Sequence, residues 1–491
     1  MNIRNQLFIG GEWTTATENG EIAVLNPHDN SVITDVSEAR ENDVDRAVDA
    51  AHTAFSVWSG MSPMDRGRLL LKLADAIETH AEQLAQLESI DTGHPLKDTR
   101  LLDVPRTAAT FRYFGGMADK FEGSVVPVET GFLNYVDHEP VGVVGQIIHW
   151  NFPLMFTSWK MGPALAAGNT IVLKPSELTP LSALRIAELM QEVGIPDGVV
   201  NVVPGFGNTA GQRIAEHPNI QKVAFTGSTT TGRKIVTASS GNLKKVHLEL
   251  GGKGANIIFA DANVDAAVNG SAFAIFHNQG QACIAGSRLL VHESIIEEFL
   301  DKFILLTRSI RVGNPLSKET ELGPLTSRMH QARVLEYCEI AEEEGGEILI
   351  GGCIPEDPAL ADGCYISPTV VRTNSTNRVC LEEVFGPFVS VTSFCEEDEV
   401  VAIANNTEYG LGGGLWTNSL QRAHRVAKHM VAGMVWINCY KRVHPGSPFG
   451  GVRSSGYGRE MGFEAMREYT TVKSVWVNVN ASIPAYYPRE S

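Results

Sequence analysis

Apolar residues recur every three to four positions through residues 42–90: Val44, Ala47, Val48, Ala51 and Phe55, then Leu70, Leu73, Ala74, Ile77 and Leu84. That spacing lays one apolar stripe along a helix and predicts helices there. From about Pro140 the pattern changes. Short Val- and Ile-rich runs at 141–148, 170–174, 199–203 and 222–226 alternate with helical stretches at 181–193, 209–217 and 230–239. A strand buried on both faces shows no polar alternation, so this order predicts a parallel sheet covered on both sides. The alternation resumes near Ala255, with strands at 256–259, 287–291 and 388–394 and helices at 293–308 and 397–405. Two α/β regions of similar size predict two domains with a cleft between them. The β-like segments 133–138 and 473–479 fit neither pattern, and leftover strands of this kind are expected to pair between subunits.

Composition narrows the class. A chain of 491 residues has room for two or three domains, and 43% hydrophobic with 20% charged residues is ordinary for a globular protein. The formal net charge of −17 argues against a nucleic-acid or anionic-membrane partner. The 7 cysteines are odd in number, form no CxxC pair and have no histidines clustered beside them. They read as reduced thiols, with neither a disulfide frame nor a metal site. The N-terminal residues lack the apolar core of a signal peptide, and no run is long enough to span a bilayer. A cytoplasmic protein is expected.

Three residues carry candidate chemistry. Cys283 lies in a run of small and polar residues between Gly280 and Gly286, which lets backbone approach a substrate closely. As a nucleophile it would act as the thiolate, so a helix terminus or amide field is expected to lower its pKa. Cys338 and Cys439 read as small buried hydrophobes. Glu249 ends a β-like run before Gly251 and Gly252, and its apolar neighbours Leu248 and Leu250 predict partial burial. Burial raises a carboxyl pKa toward the range of a general base; the alternative is a solvated turn residue. Asn151, between Trp150 and Phe152-Pro153, is either a turn residue or an amide donor to a developing oxyanion.

Several strand ends point to a dinucleotide. Gly227 and Ser228 follow the 222–226 strand and lead into a helix, where free N–H groups hold a pyrophosphate. Lys174 and Glu177 follow the 170–174 strand. The Gly205–Gly211 run is one residue too long for the usual glycine fingerprint.

These motifs, with Glu382–Pro387, Pro448–Gly451 and Ser455–Glu460, resemble those of NAD(P)-dependent aldehyde dehydrogenases from about Phe8 to Val479. The resemblance implies an α/β fold: a Rossmann-type cofactor domain (1–121 and 141–251), an α/β catalytic domain (252–454) and a small β oligomerisation element (122–140 and 470–491). Residues 455–469 return to the cofactor domain. It implies Cys283 as nucleophile, Asn151 and the Cys283 N–H as oxyanion hole, and Glu249 as general base, with Lys160 and Glu460 behind it as a proton relay. Trp150, Lys174, Glu177, Gly227, Ser228, Glu383 and Phe385 are the implied cofactor residues, with NAD favoured over NADP. The implied reaction turns an aldehyde into its acid through a thioester that water hydrolyses, in a homodimer or homotetramer. The alternatives are transfer of the acyl group to coenzyme A, disfavoured by the presence of Glu249, and a non-catalytic structural protein on the same fold, disfavoured by the intact Cys283, Glu249 and Asn151.

For the substrate, the resemblance places Phe152, Trp159, Ile284, Val443 and Phe449 along a tunnel with Arg106 near its mouth. Such walls suit an apolar or aromatic aldehyde. The Asp103–Arg106 segment resembles one in semialdehyde dehydrogenases whose substrates carry a carboxylate, and Lys441, Arg442 and His444 add basic residues nearby. Arg106 with Arg442 would then grip an anionic group. Alternatively, both arginines pair with acidic surface residues.

Overall fold

The computed structural model describes residues 3–480 and 486–487. Part of the segment expected to mediate oligomerisation, at 481–485 and 488–491, lies outside the described residues.

The first α/β region folds around an eight-stranded sheet. Its five central strands are parallel, in the order Lys245–Glu249, Lys222–Thr226, Val143–Ile147, Thr170–Lys174 and Val200–Val202. Every residue of the middle three is buried, which is why they read as unbroken apolar runs. Chain order leaves Val143–Ile147 in both directions, so the crevice beside its C-terminal end is a topological switch point. Ligands bind there in open α/β sheets. Leu7–Ile9 and Glu12–Thr14 extend one edge antiparallel, and Gly456–Tyr457 closes the other against Leu248 and Glu249. That last pairing brings the C-terminal glycine-rich loop onto the end of the Glu249 strand.

The second region is a seven-stranded sheet, parallel except for Glu347–Ile350 at one edge. The remaining strands are Thr369–Arg372, Phe388–Phe394, Arg288–His292, Ala255–Ile258, Gly412–Trp416 and Met434–Ile437. The two segments left over in the sequence pattern pair with each other inside one chain: Thr470–Asn478 runs antiparallel to Phe132–Pro140, with Ser124–Val126 beyond. Pairing between subunits is therefore not what satisfies their facing edges.

Residues 41–92 form three helices, Glu41–Gly60, Pro63–Thr79 and Ala81–Thr92. Ser62 starts the second by accepting from Asp65 N–H, with Pro63 at the first helical position. Phe55 is only half-buried; Trp58 is the anchor of the first helix, and its Nε1 donates to Leu165 O at 3.1 Å. The helix expected at 209–217 is a π-turn, Gly207–Gly211, followed by the short Gln212–Glu216. Its two glycines weaken regular helix. The helix expected at 293–308 starts later, at Ile296, after a single tight turn.

Candidate active site

Cys283 follows a segment with an unusual backbone. Asn278, Gln279 and Gly280 have φ of 54°, 53° and 70°. Left-handed conformations cost energy for the two residues that carry a Cβ, so contacts must hold them. Asn278 Nδ2 donates to Asn151 O at 2.8 Å and Gln279 Nε2 to Gly93 O at 2.7 Å, while Gln281 Oε1 accepts from Thr326 N at 3.0 Å. Gly280 is required for contact as well as conformation, because a Cβ there would collide with the Gly386 carbonyl. The Cys283 carbonyl in turn packs so tightly on Gly252 that no Cβ fits, which explains the glycines after Glu249.

Burial pushes the Cys283 thiol up, and the carboxyls of Glu249 and Glu383 push the same way; Lys441 and the residue's own N–H oppose them. The expected lowering of its pKa is not found, because no helix terminus outweighs desolvation at this position. Glu249 is buried, and desolvation with nearby Glu460 holds its pKa well above the carboxylate range. The relation expected from its apolar neighbours holds, with burial more complete than partial. Asn151 is buried too. His149 Nδ1 meets its Oδ1 at 2.9 Å, and its Nδ2 donates to Gln281 O at 2.8 Å, two residues before Cys283. The amide group is thereby aimed at the cysteine loop.

Two cavities meet at Cys283. The first lies at the switch point and is lined by Trp150, Asn151, Gly227, Ser228, Glu249, Cys283, Glu383 and Phe385, together with His149, Thr226, His330 and Arg333. It fits a dinucleotide. Ser228 caps the helix Thr229–Ala238, the buried Thr226 Oγ1 has no partner among the described residues, and Gly227 packs on the Phe225 ring where no Cβ fits. Glu383 accepts from Gly252 N–H at 2.8 Å, and burial pushes its pKa to about 7. Phe385, at φ 63°, meets Trp150 edge-on at 5.3 Å. Lys174 and Glu177 lie outside this lining; they pair with each other at 3.3 Å past the end of the neighbouring strand. The Gly207–Gly211 turn does not line it either.

The second cavity is a largely apolar tunnel lined by Arg106, Phe152, Trp159, Cys283, Ile284, Val443 and Phe449, with Met155, Phe156, Phe273, His277 and Lys441. Arg442 is absent from it. That side chain is exposed in a separate groove with His444, and Lys441 is the basic residue that turns inward, buried, its pKa pushed down to about 7 by desolvation. Adjacent residues of the loop point to opposite sides, so only one of the pair reaches the tunnel. Among the described residues, the Arg106 guanidinium, half-buried beside Asp103, has no ion-pair or hydrogen-bond partner, so pairing with a surface acid is not what holds it. Lys160 and Glu460 form a fully buried ion pair behind Glu249 and reach neither cavity. All seven cysteines are free; Cys338 is buried, whereas Cys439 is only half-buried.

The sequence matches the aldehyde dehydrogenase family over residues 13–475. The chain belongs to that family. It is 46% identical over 483 residues to the mitochondrial aldehyde dehydrogenase of Rattus norvegicus, covering 97% of this chain and 92% of the relative. It is 44% identical over 477 residues to the betaine aldehyde dehydrogenase of Bacillus subtilis, covering 96% and 97%. Among solved structures, PnpE in complex with nicotinamide adenine dinucleotide is 65% identical, with a TM-score of 0.99 over 99% of this chain and 100% of that one. Betaine aldehyde dehydrogenase from Staphylococcus aureus in complex with NAD+ is 38% identical, with a TM-score of 0.97 over 99% and 98%.

Within this aldehyde dehydrogenase, the site residues missed in the sequence are mostly aromatic or imidazole side chains. His149, Phe156, Phe273 and His277 sit among apolar neighbours, where a sequence pattern reads them as core. The helix Pro153–Ala166 supplies three tunnel residues but has no polar face at all, so it shows no amphipathic stripe.

Proposed function

We propose that this aldehyde dehydrogenase oxidises an aldehyde that carries a carboxylate at its far end, using NAD and releasing the free acid. The observation that carries the reading is the place of Cys283, in the wall common to a dinucleotide-shaped cleft and an aromatic tunnel.

Cys283 loses its thiol proton to water in the open cleft, and Sγ forms the bond to the aldehyde carbon as the carbonyl π bond breaks. The resulting oxyanion accepts hydrogen bonds from Asn151 Nδ2 and the Cys283 N–H. NAD, when bound in the cleft, supplies the hydride acceptor. Trp150, Gly227, Ser228, Glu383 and Phe385 would hold it, with Lys174 and Glu177 at the adenosine end; the Glu177 carboxylate repels a 2′-phosphate and favours NAD over NADP. Loss of hydride leaves the acyl group on sulfur as a thioester. Glu249 takes a proton from water, the water oxygen bonds to the carbonyl carbon, and the carbon–sulfur bond breaks to release acid and thiolate. A raised carboxyl pKa suits Glu249 to this step, and the Lys160–Glu460 pair behind it carries the proton onward.

Arg106 and Lys441 support the substrate class. Both line the tunnel; Arg106 is cationic and, among the described residues, lacks a partner, while Lys441, its pKa pushed down to about 7, becomes fully cationic when an anion sits beside it. A carboxylate satisfies them, whereas a quaternary ammonium group would be repelled. The flat walls from Phe152, Phe156, Trp159 and Phe449 favour a conjugated or aromatic body. The test is a kcat/KM panel of carboxylated and neutral aldehydes of similar size. Arg106→Ala is expected to lose roughly ten- to a hundredfold for carboxylated aldehydes, and little for neutral ones. Equal losses for both classes would leave a general hydrophobic tunnel.

A second copy of the chain is the proposed partner. The three-stranded sheet exposes Phe132, Val472 and Trp476 on one face and Val125, Tyr135 and Val477 on the other, apolar positions of the kind a subunit interface covers. The free thiols support a reducing, cytoplasmic setting. No helix among the described residues is long and apolar enough to cross a membrane.

A further inference from the structure

Glu249 does not stand alone on its strand. Residues two apart share one face of a sheet, so His247 and Glu249 lie on one face; in register with His247 across the sheet, Gln146 Nε2 donates to Lys160 O of the helix Pro153–Ala166, which covers that face. His247 and Glu249 are both buried, and His247 Nε2 lies 3.1 Å from Glu249 Oε1. Among the described residues this is the only hydrogen-bond partner of the carboxylate: Glu249 Oε2 is buried and has none. When Glu249 is ionised, the form in which it can take a proton, two acceptors at that distance would repel, so the ring proton belongs on Nε2, and Nε2–H donates to Oε1.

The imidazole is fixed from the other side as well. Gly458, at φ 88°, packs against His247 Cδ2 closely enough that any Cβ would have to displace the ring. Gly450 packs in the same way on Glu249 Oε1. Both glycines belong to the loop that the Gly456–Tyr457 strand pins against Leu248 and Glu249. The charged groups facing the pair are Lys160 from the helix, Glu460 and Arg459 from the loop, and Lys222 with Glu468 farther along the sheet. Burial, Lys222, Lys160 and Arg459 all keep the imidazole neutral, so it is a hydrogen-bond donor and not a second acid.

We propose that His247 is a positioning residue for Glu249: by occupying Oε1 it holds the carboxylate in one orientation and leaves Oε2 as the oxygen that takes the proton from water. The assignment rests on Glu249 being the general base. The bookkeeping is simple. Before the step, Oε1 accepts from His247 and Oε2 is bare. Afterwards Oε2 carries the proton, Oε1 remains the carbonyl oxygen, and the same hydrogen bond persists. No reorientation is needed on either side of the transfer, which is the benefit of a preorganised base.

The experiment uses full-length His247→Leu, His247→Gln and Glu249→Gln enzymes with NAD and one aldehyde substrate, read by stopped-flow NADH formation and by the pH profile of kcat. Leu keeps bulk without a donor. It should lower the steady rate about tenfold while sparing the NADH burst and KM. It should also move the rising limb of kcat to higher pH, because the ionised carboxylate has lost its donor. Gln restores a donor and should recover most of the rate. Wild-type kcat and pH profile in His247→Leu overturn the proposal. So does parallel loss of burst and steady rate in both His247 variants with a lowered Tm, which would mark a packing role. Glu249→Gln separates the two levels. If it turns over normally, the base is elsewhere and both readings fall. If it stalls after one burst while His247→Leu does not slow, only the positioning role falls.

Discussion

At the scale of single residues, the site holds the proposed nucleophile, Cys283, in its less reactive form. Cys283 is half-buried near two carboxyls, and both effects favour the protonated thiol over the thiolate. Cys283→Ala is expected to abolish NADH formation while leaving the circular dichroism spectrum unchanged, since the change is small and the side chain lines two cavities. Appreciable turnover in a folded Ala enzyme would remove Cys283 from the reaction. The residue types at this site were readable in the sequence because a nucleophile, a carboxylate and an amide are chemically distinctive. Their protonation was not, since a pKa is set by neighbours from distant parts of the chain: Glu460 lies more than two hundred residues beyond Glu249 in the sequence yet raises its pKa.

Elements set the geometry. The helix Ala81–Thr92 carries two buried carboxyls that serve other helices. Glu88 Oε1 accepts from Leu154 N at 3.2 Å, at the start of Pro153–Ala166, and Asp91 Oδ2 accepts from Leu181 N at 2.9 Å, at the start of Leu181–Glu192. Each meets an N–H group that has no partner within its own helix. The first of these helices bears the tunnel aromatics, so its seat bears on the site. Burial and the nearby Asp103 push the Glu88 pKa up to about 8, against its hydrogen bonds to Ser182 and Leu154 and nearby His94. The folded state then binds a proton that the unfolded chain releases near pH 4.5. Stability from this group is fully present below that pH and is lost as pH rises toward 8. Glu88→Gln keeps the acceptor and cannot ionise, so its Tm is expected to fall less than wild type between pH 5 and 8. Parallel Tm curves for the two proteins would show that Glu88 is already ionised in the fold.

At the scale of the whole molecule, the exposed apolar sheet calls for a cover. Phe132, Val472 and Trp476 are exposed on one face of an antiparallel sheet whose facing edges are already paired within the chain. In the proposed oligomer, burial of that surface and not strand exchange would drive association. Trp476→Asp is expected to shift the assembly to a smaller species by light scattering, with secondary structure retained. An unchanged mass would place the interface elsewhere.

The hydrophobic pattern by itself determined the two α/β regions, the buried parallel strands and the loops where chemistry collects, because side-chain periodicity is a local property of strands and helices. The short motifs determined the family and the identity of Cys283, Glu249 and Asn151 as the residues to examine. Only tertiary structure decided the rest. Lys441 and not Arg442 turns into the tunnel because the direction of a loop side chain depends on what the loop packs against. The helix Pro153–Ala166 is invisible as an amphipathic pattern because it is covered on all sides. His247 becomes a partner of the base only when the loop around Gly458 closes over it, an approach of segments some two hundred residues apart that no local pattern records.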